Sequence, residues 1–213
     1  MTAVTAIKDA VPFGNLADEA SLQRTAKALE INGFEVFIVD SGEEAKAKVI
    51  ELVPAGAEVM TNPSQTLDKL GLTAEFNDSG RYDPVRPKMM ALYGDPAKKR
   101  EMQKIAAAPD YSLGSVHAVT EDGQVIIASA SGSQLSQIAY AAGKVIWVVG
   151  TQKIVHDVDA GLQRIREYTF PREDERAQAA YGFGSTIGKE LIVRRDIPEK
   201  RSTIIFVRQN LGF

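Results

Sequence analysis

Apolar positions along this chain alternate between a helical and a strand period. Leu22, Ala26 and Leu29 share one helical face, Asn32 and Gly33 stop that helix, and an apolar strand follows over 34–39. A second helix opens on Ser41 and Glu44 as a capping box. It carries Ala45, Val49, Leu52 and Val53 on its stripe and ends at Pro54 and Gly56, ahead of a strand over 57–61. Two strands joined by one helix predict a βαβ unit with a right-handed crossover and parallel pairing.

Asn62, Pro63, Ser64 and Gln65 read as cap, first turn and capping partner of a short helix that Gly71 closes. Residues 72–94 keep no clear period and hold Asn77, Asp78, Gly80, Pro84 and Pro87. They predict an ordered loop over a cleft, carrying Arg81, Arg86 and Lys88. Asp95 and Pro96 start a helix with Met102, Ile105 and Ala106 on its buried side. Asp122 and Gly123 then supply a two-residue hairpin turn, which sets Glu121 opposite Gln124, Val119 opposite Ile126 and His117 opposite Ala128. Leu135, Ile138, Ala139 and Ala142 predict a helix over 134–142, and the continuous apolar run 145–149 suits a sheet centre. A helix over about 157–168 presents Val158, Leu162, Ile165 and Tyr168. Strands over 191–193 and 203–207 follow, with a turn region at Pro198 between them. Strand–helix alternation of this kind predicts an α/β domain with three layers around a mixed sheet. It spans 22–213, after an N-terminal extension, 1–21, that is partly helical.

Composition narrows the function. With 213 residues, 44% of them hydrophobic, one core is the default. A net charge of −3 and 7% aromatic residues offer neither a broad positive field nor a stacking platform, so nucleic acid is not an expected partner. No apolar run approaches the roughly 18 residues that span a bilayer, and the first residues lack the charged-then-apolar pattern of a secretory signal. No membrane partner and a cytoplasmic location are therefore expected. Zero cysteines exclude disulfides, iron–sulfur ligation and a cysteine nucleophile, and two histidines are few for an all-protein zinc site. The chain is assigned no metal and no cofactor, so any redox group is organic or a partner's.

Three polar loops lie where a strand hands over to a helix: Asn62, Ser64 and Thr66; Ser131, Gly132 and Ser133; and Gly150, Thr151, Gln152 and Lys153. Such ends gather unpaired N–H groups and small polar side chains, which suits a carboxylate or phosphate, and Arg81 or Arg86 could close over it. The other reading of Ser133 is a simple helix cap. Lys153 is either a solvated loop lysine or a cation aimed at an anionic ligand. His117 and Thr120 are polar exceptions on the hairpin, and His117 reads either as a neutral core histidine or as a catalytic base. His156 has no companion ligand and reads as surface. Glu121 at the turn is either an ordinary exposed carboxylate or a nucleophile at a strand end. GFGSTIGKE over 182–190 is not a nucleotide loop, because Phe183 replaces a required glycine, Glu190 replaces the magnesium hydroxyl, and a strand follows it.

The ordered segments TNPSQTLDKLGL, GSVHAVTEDGQVIIASASGSQ, VIWVVGTQKIV and TIIFVRQNLGF resemble the lactate-utilisation (LUD) domain family, in particular its short stand-alone members. The resemblance implies a fold like those of ribose-5-phosphate isomerase, glucosamine-6-phosphate deaminase and the CoA transferases. It also implies a role in oxidising L-lactate or a related organic acid, with the chain binding a small anionic metabolite beside iron–sulfur oxidoreductase subunits. Many lactate-operon members carry an acidic residue and Thr-Gly-Thr at the hairpin turn, where this chain has Glu121, Asp122, Gly123 and Gln124. The TEDG here is similar to the Ser-Glu-Asn-Gly motif of CoA transferases. By that likeness, an alternative is an isomerase or acyltransferase in which Glu121 attacks an acyl-CoA. Self-association stays open.

Overall fold

The computed structural model describes residues 12–213. The expectation of partial helix in the N-terminal extension falls mostly on residues outside this range. What is described shows helix α1 (Glu19–Ile31) beginning inside it, where the Asp18 carboxylate accepts from the Ser21 N–H at 2.7 Å. Leu22, Ala26 and Leu29 form its buried face, and Gly33 at φ +91° turns the chain into β1 (Glu35–Val39). Ser41 caps α2 (Gly42–Leu52), and the Glu44 carboxylate returns to the Asp40 N–H at 3.1 Å. After β2 (Glu58–Thr61), Ser64 caps the short α3 (Gln65–Lys69).

The segment 72–94 is largely regular rather than a loop. It forms α4 (Leu72–Asp78), β3 (Asp83–Pro84) and α5 (Val85–Met90), held down by the buried Leu72, Phe76, Tyr82 and Val85. These elements are too short to show a period, which is why the pattern hid them. Next come α6 (Lys99–Ala107) and β4 (Tyr111–Gly114); the chain then crosses to a second sheet through Ser115–His117 and enters β5 (Ala118–Thr120) and β6 (Val125–Ser129).

The hairpin register differs from expectation by one residue. Ala118 faces Ile126 and Val119 faces Val125, around a three-residue loop Glu121–Gly123 with Gly123 at φ +82°. The Thr120 hydroxyl accepts from the Gln124 N–H at 2.9 Å and donates to the Asp122 carboxylate, which closes the longer loop. The regular ladder starts at Ala118, and His117, whose N–H donates to the Ile126 carbonyl at 3.0 Å, ends the crossing just before the strand.

Residues 134–142 do not form a regular helix. The chain turns there into a π-helical segment, Gln137–Ala141, which inserts Gln137 into the core. Strand β7 (Lys144–Gly150) follows, then β8 (Ile154–Val155) and α7 (Val158–Arg164). A second π segment, Ile165–Thr169, carries α7 directly into α8 (Phe170–Tyr181). Strands β9 (Lys189–Val193) and β10 (Ser202–Val207) complete the order.

Among the described residues, six strands form a wholly parallel sheet in the order β1-β10-β7-β4-β2-β3. Strands β1 and β2 share this sheet but do not pair, because β10, β7 and β4 lie between them. The reason is burial: β7 and β10 are apolar on both faces and take the centre. One face packs Ile146, Val148, Ile205 and Val207 against α2, α3 and α4. The other packs Trp147, Val149 and Phe206 against α1 and the hairpin. Mixed pairing is confined to a second sheet, β8-β5-β6-β9, whose far face packs Ala118 and Ile126 against α7 and against Ile165 of the π segment that follows it.

Candidate functional site

Carboxyl ends of parallel strands leave a crevice, because the chain departs to opposite faces from neighbouring strands. Here the segments leaving β2, β4, β7 and β10 deliver Ser64 and Thr66, Ser115 and His117, Lys153, and Gly212 with Phe213 to one cavity of about 370 Å³. The second sheet closes one side with Ser129, Ser131, Ser133 and Gln134, and α5 contributes Arg86. A wall formed by Ile165, Thr169, Phe170, Glu173, Arg176 and Tyr181 comes from the second π segment and α8, with Ser185–Ile187 after it.

Lys153 sits at the floor and is 2% exposed. Its Nζ donates to Ser115 Oγ at 3.1 Å, while Ser115 donates to the Val148 carbonyl at 2.7 Å. No described carboxylate pairs with it. Burial pushes the Lys153 ammonium well below the usual lysine range, and the Arg164 charge adds to this. Arg164 is itself fully buried, donating to the His117 carbonyl, to Thr169 Oγ1 at 3.0 Å and to the Phe13 carbonyl at 3.4 Å. Its value falls to about 10, chiefly from burial.

His117 Nδ1 accepts the Ala128 N–H at 3.1 Å, which leaves the proton of the neutral ring on Nε2. Desolvation, then the Lys153 and Arg164 charges, lower its pKa to about 3. Around neutral pH the ring is therefore an uncharged donor. Arg86 makes no ion pair or hydrogen bond with another described residue, whereas Arg176 is engaged by Glu173 at 2.6 and 2.7 Å.

The three polar loops converge, but only part of each reaches the cavity. Ser64, Thr66, Ser131, Ser133 and Lys153 line it. Asn62 lies in the core, donating to Ser112 Oγ at 2.9 Å and to Gln137 Oε1 at 3.3 Å. Gly132, at φ +84°, shapes the serine loop. Thr151 is buried, and Gln152 holds the Leu211 carbonyl at 2.9 Å, so that Gly150 to Gln152 anchor the C-terminal segment instead of facing the cavity. Arg81 turns outward to Glu75 at 3.5 Å and packs over Tyr82. Thr120 serves the hairpin loop.

Glu121 is also elsewhere. Its Oε1 accepts from Ser21 Oγ at 2.5 Å and its Oε2 pairs with Arg24 at 3.0 Å, and these contacts hold its carboxyl below the usual range, the Ser21 bond foremost. The Asn32 amide binds the Asp122 and Gly123 carbonyls, so the whole turn is fastened to α1. At about 3.4 Å per residue along β6, the turn lies roughly 20 Å from Ser129.

Sequence reasoning missed the wall from α8. That helix is polar almost all round and buries only Ala177 among its residues, so it shows no stripe. Pro171 at its start and Gly182 at φ +77° after its end were the available signals. Ser115 was passed over for lying in a crossing without period.

The fold is an α/β domain whose parallel sheet opens at its strand ends onto a polar cavity with a buried lysine. The chain belongs to the LUD-domain family, whose model matches residues 22–207, and that family is associated with lactate utilisation. Among solved structures, a DUF162-family protein from Deinococcus radiodurans is similar, with a TM-score of 0.53 and 14% identity over 91% of this chain and 99% of that one, a likeness of fold. No curated protein matches the chain. Among the described residues no helix is long and apolar enough to cross a membrane.

Proposed function

We propose that the cavity binds a small anionic metabolite of lactate or related organic-acid metabolism. In this reading the chain handles substrate beside iron–sulfur oxidoreductase subunits that carry the electrons. The observation that carries it is a buried lysine sharing one cavity with Arg86, neither of them paired with a carboxylate among the described residues, and with the hydroxyls of Ser64, Ser131 and Ser133. Arg86 supplies the positive charge for an anion, and the Lys153 amine and the serine hydroxyls donate hydrogen bonds to it, in a setting where water competes weakly. The volume lies at the small end of the range of about 300–1,000 Å³ found for ligand pockets, which suits a metabolite more than a macromolecule. The absence of cysteine supports the division of labour, since no thiolate is available here to ligate a cluster.

Thermal-shift titration with lactate, pyruvate, phosphosugars and CoA esters tests the reading. At least one ligand raises the melting temperature, and Arg86→Met weakens its binding about 10- to 100-fold, as expected for losing a charge-assisted hydrogen bond of about 1.5–3 kcal/mol. A well-folded protein that none of these ligands stabilises overturns it. Co-purification from native extract checks the partners, and a chain that always elutes alone removes that half of the proposal.

A further inference from the structure

We infer that Lys153 is an imine-forming amine, and that the metabolite held in this cavity carries a carbonyl beside its carboxylate, as a 2-oxo acid does. The inference rests on the anion-site reading and adds to it the substrate class and a covalent step.

The geometry separates two tasks. Arg86, which makes no ion pair or hydrogen bond with another described residue, lies on the walls to hold a carboxylate, together with Ser133, whose hydroxyl accepts from Ser131 Oγ at 3.2 Å and keeps its own proton to donate. Lys153 lies at the floor, with its Nζ oriented by one hydrogen bond to Ser115 Oγ, which the Val148 carbonyl fixes in turn. A lysine whose only task is to bind anions keeps its proton best beside an acidic group. This one has no described acidic partner and a buried guanidinium, Arg164, as its charged neighbour. Cationic neighbours and an apolar enclosure are how proteins keep a lysine amine unprotonated and nucleophilic. His117 lines the same cavity and offers an Nε2–H, tied in place through Nδ1, that can polarise a carbonyl oxygen without giving up its proton.

The step balances without any further reagent. The Nζ lone pair forms a C–N bond as the C=O π pair moves to oxygen, and one Nζ proton passes to that oxygen, giving a carbinolamine. The C–O bond then breaks, the remaining Nζ proton leaves with the hydroxyl as water, and C=N forms. Adding water reverses each bond change.

The test incubates the full chain with pyruvate and sodium cyanoborohydride, followed by intact mass measurement and peptide mapping, with lactate as the control lacking a carbonyl. Pyruvate gives one reduced adduct at Lys153, formed about tenfold faster at neutral pH than on any surface lysine. Lactate gives none, and Lys153→Arg, which keeps the charge and bulk, gives none at that peptide. Ser115→Ala slows the labelling without moving it to another lysine. If pyruvate raises the melting temperature but labels no lysine, or labels Lys153→Arg equally, the amine chemistry is overturned and the anion site stands. If pyruvate neither stabilises nor labels the protein, the inference is overturned, and the anion-site reading is then judged on the remaining ligands.

Discussion

Acid should loosen this fold through His117. The ring has a pKa of about 3 in the folded chain against 6.5 for a free histidine, because burial and the Lys153 and Arg164 charges oppose an imidazolium. Protonating Nδ1 would also set a donor against the Ala128 N–H that it now accepts. Between the two pKa values the unfolded chain holds one more proton than the folded one. The stability is therefore fully present above pH 6.5 and is lost as the pH falls toward 3. At about 1.4 kcal/mol per unit the whole window amounts to about 5 kcal/mol, an upper bound because His117 is only half-buried. Between about pH 6 and pH 4 the share is about 2.5 kcal/mol. Urea unfolding across that interval measures it directly. In His117→Asn, whose amide oxygen can take over the acceptor role of Nδ1, the loss over the same interval shrinks by that share, since the other titrating groups are common to both proteins. Wild type and variant falling in parallel would refute the reasoning.

Glu121→Gln removes an ion pair to the exposed Arg24 and should cost less than about 1 kcal/mol in urea unfolding, with ligand-induced thermal shifts unchanged. A lost shift would place the hairpin turn in the functional site after all. Gly150→Ala brings a methyl to 2.6 Å from the Gln209 carbonyl oxygen and 2.9 Å from the Leu211 nitrogen, backbone atoms that cannot simply step aside. It should destabilise the protein by about 1–3 kcal/mol and weaken metabolite binding through the Gly212–Phe213 segment. Calorimetric melting and ligand titration of the same variant check both effects.

The sequence by itself determined the local pieces. Ser41 with Glu44, Ser64 with Leu67 and Gly33 after α1 act through neighbours one to four residues away, so helix starts and stops were legible in order. The two-sided apolar runs of β7 and β10 announced central strands because burial on both faces leaves no polar alternation. Of the small polar residues at strand ends, Ser64, Thr66, Ser131 and Ser133 line one cavity. Tertiary structure decided what a period cannot carry. Strand β10 entered between β1 and β7, although 162 residues separate the end of β1 from its start, and so parted the pair that local connection suggests. The Thr120 hydroxyl, closing a three-residue loop, moved the hairpin register by one residue and put His117 on the crossing. Above all, Lys153 reads as a loop lysine until residues from Ile165 to Phe213 cover it. The fall of its ammonium below the usual lysine range comes chiefly from burial by distant segments, and neighbouring letters in the sequence do not encode who will shield whom from water.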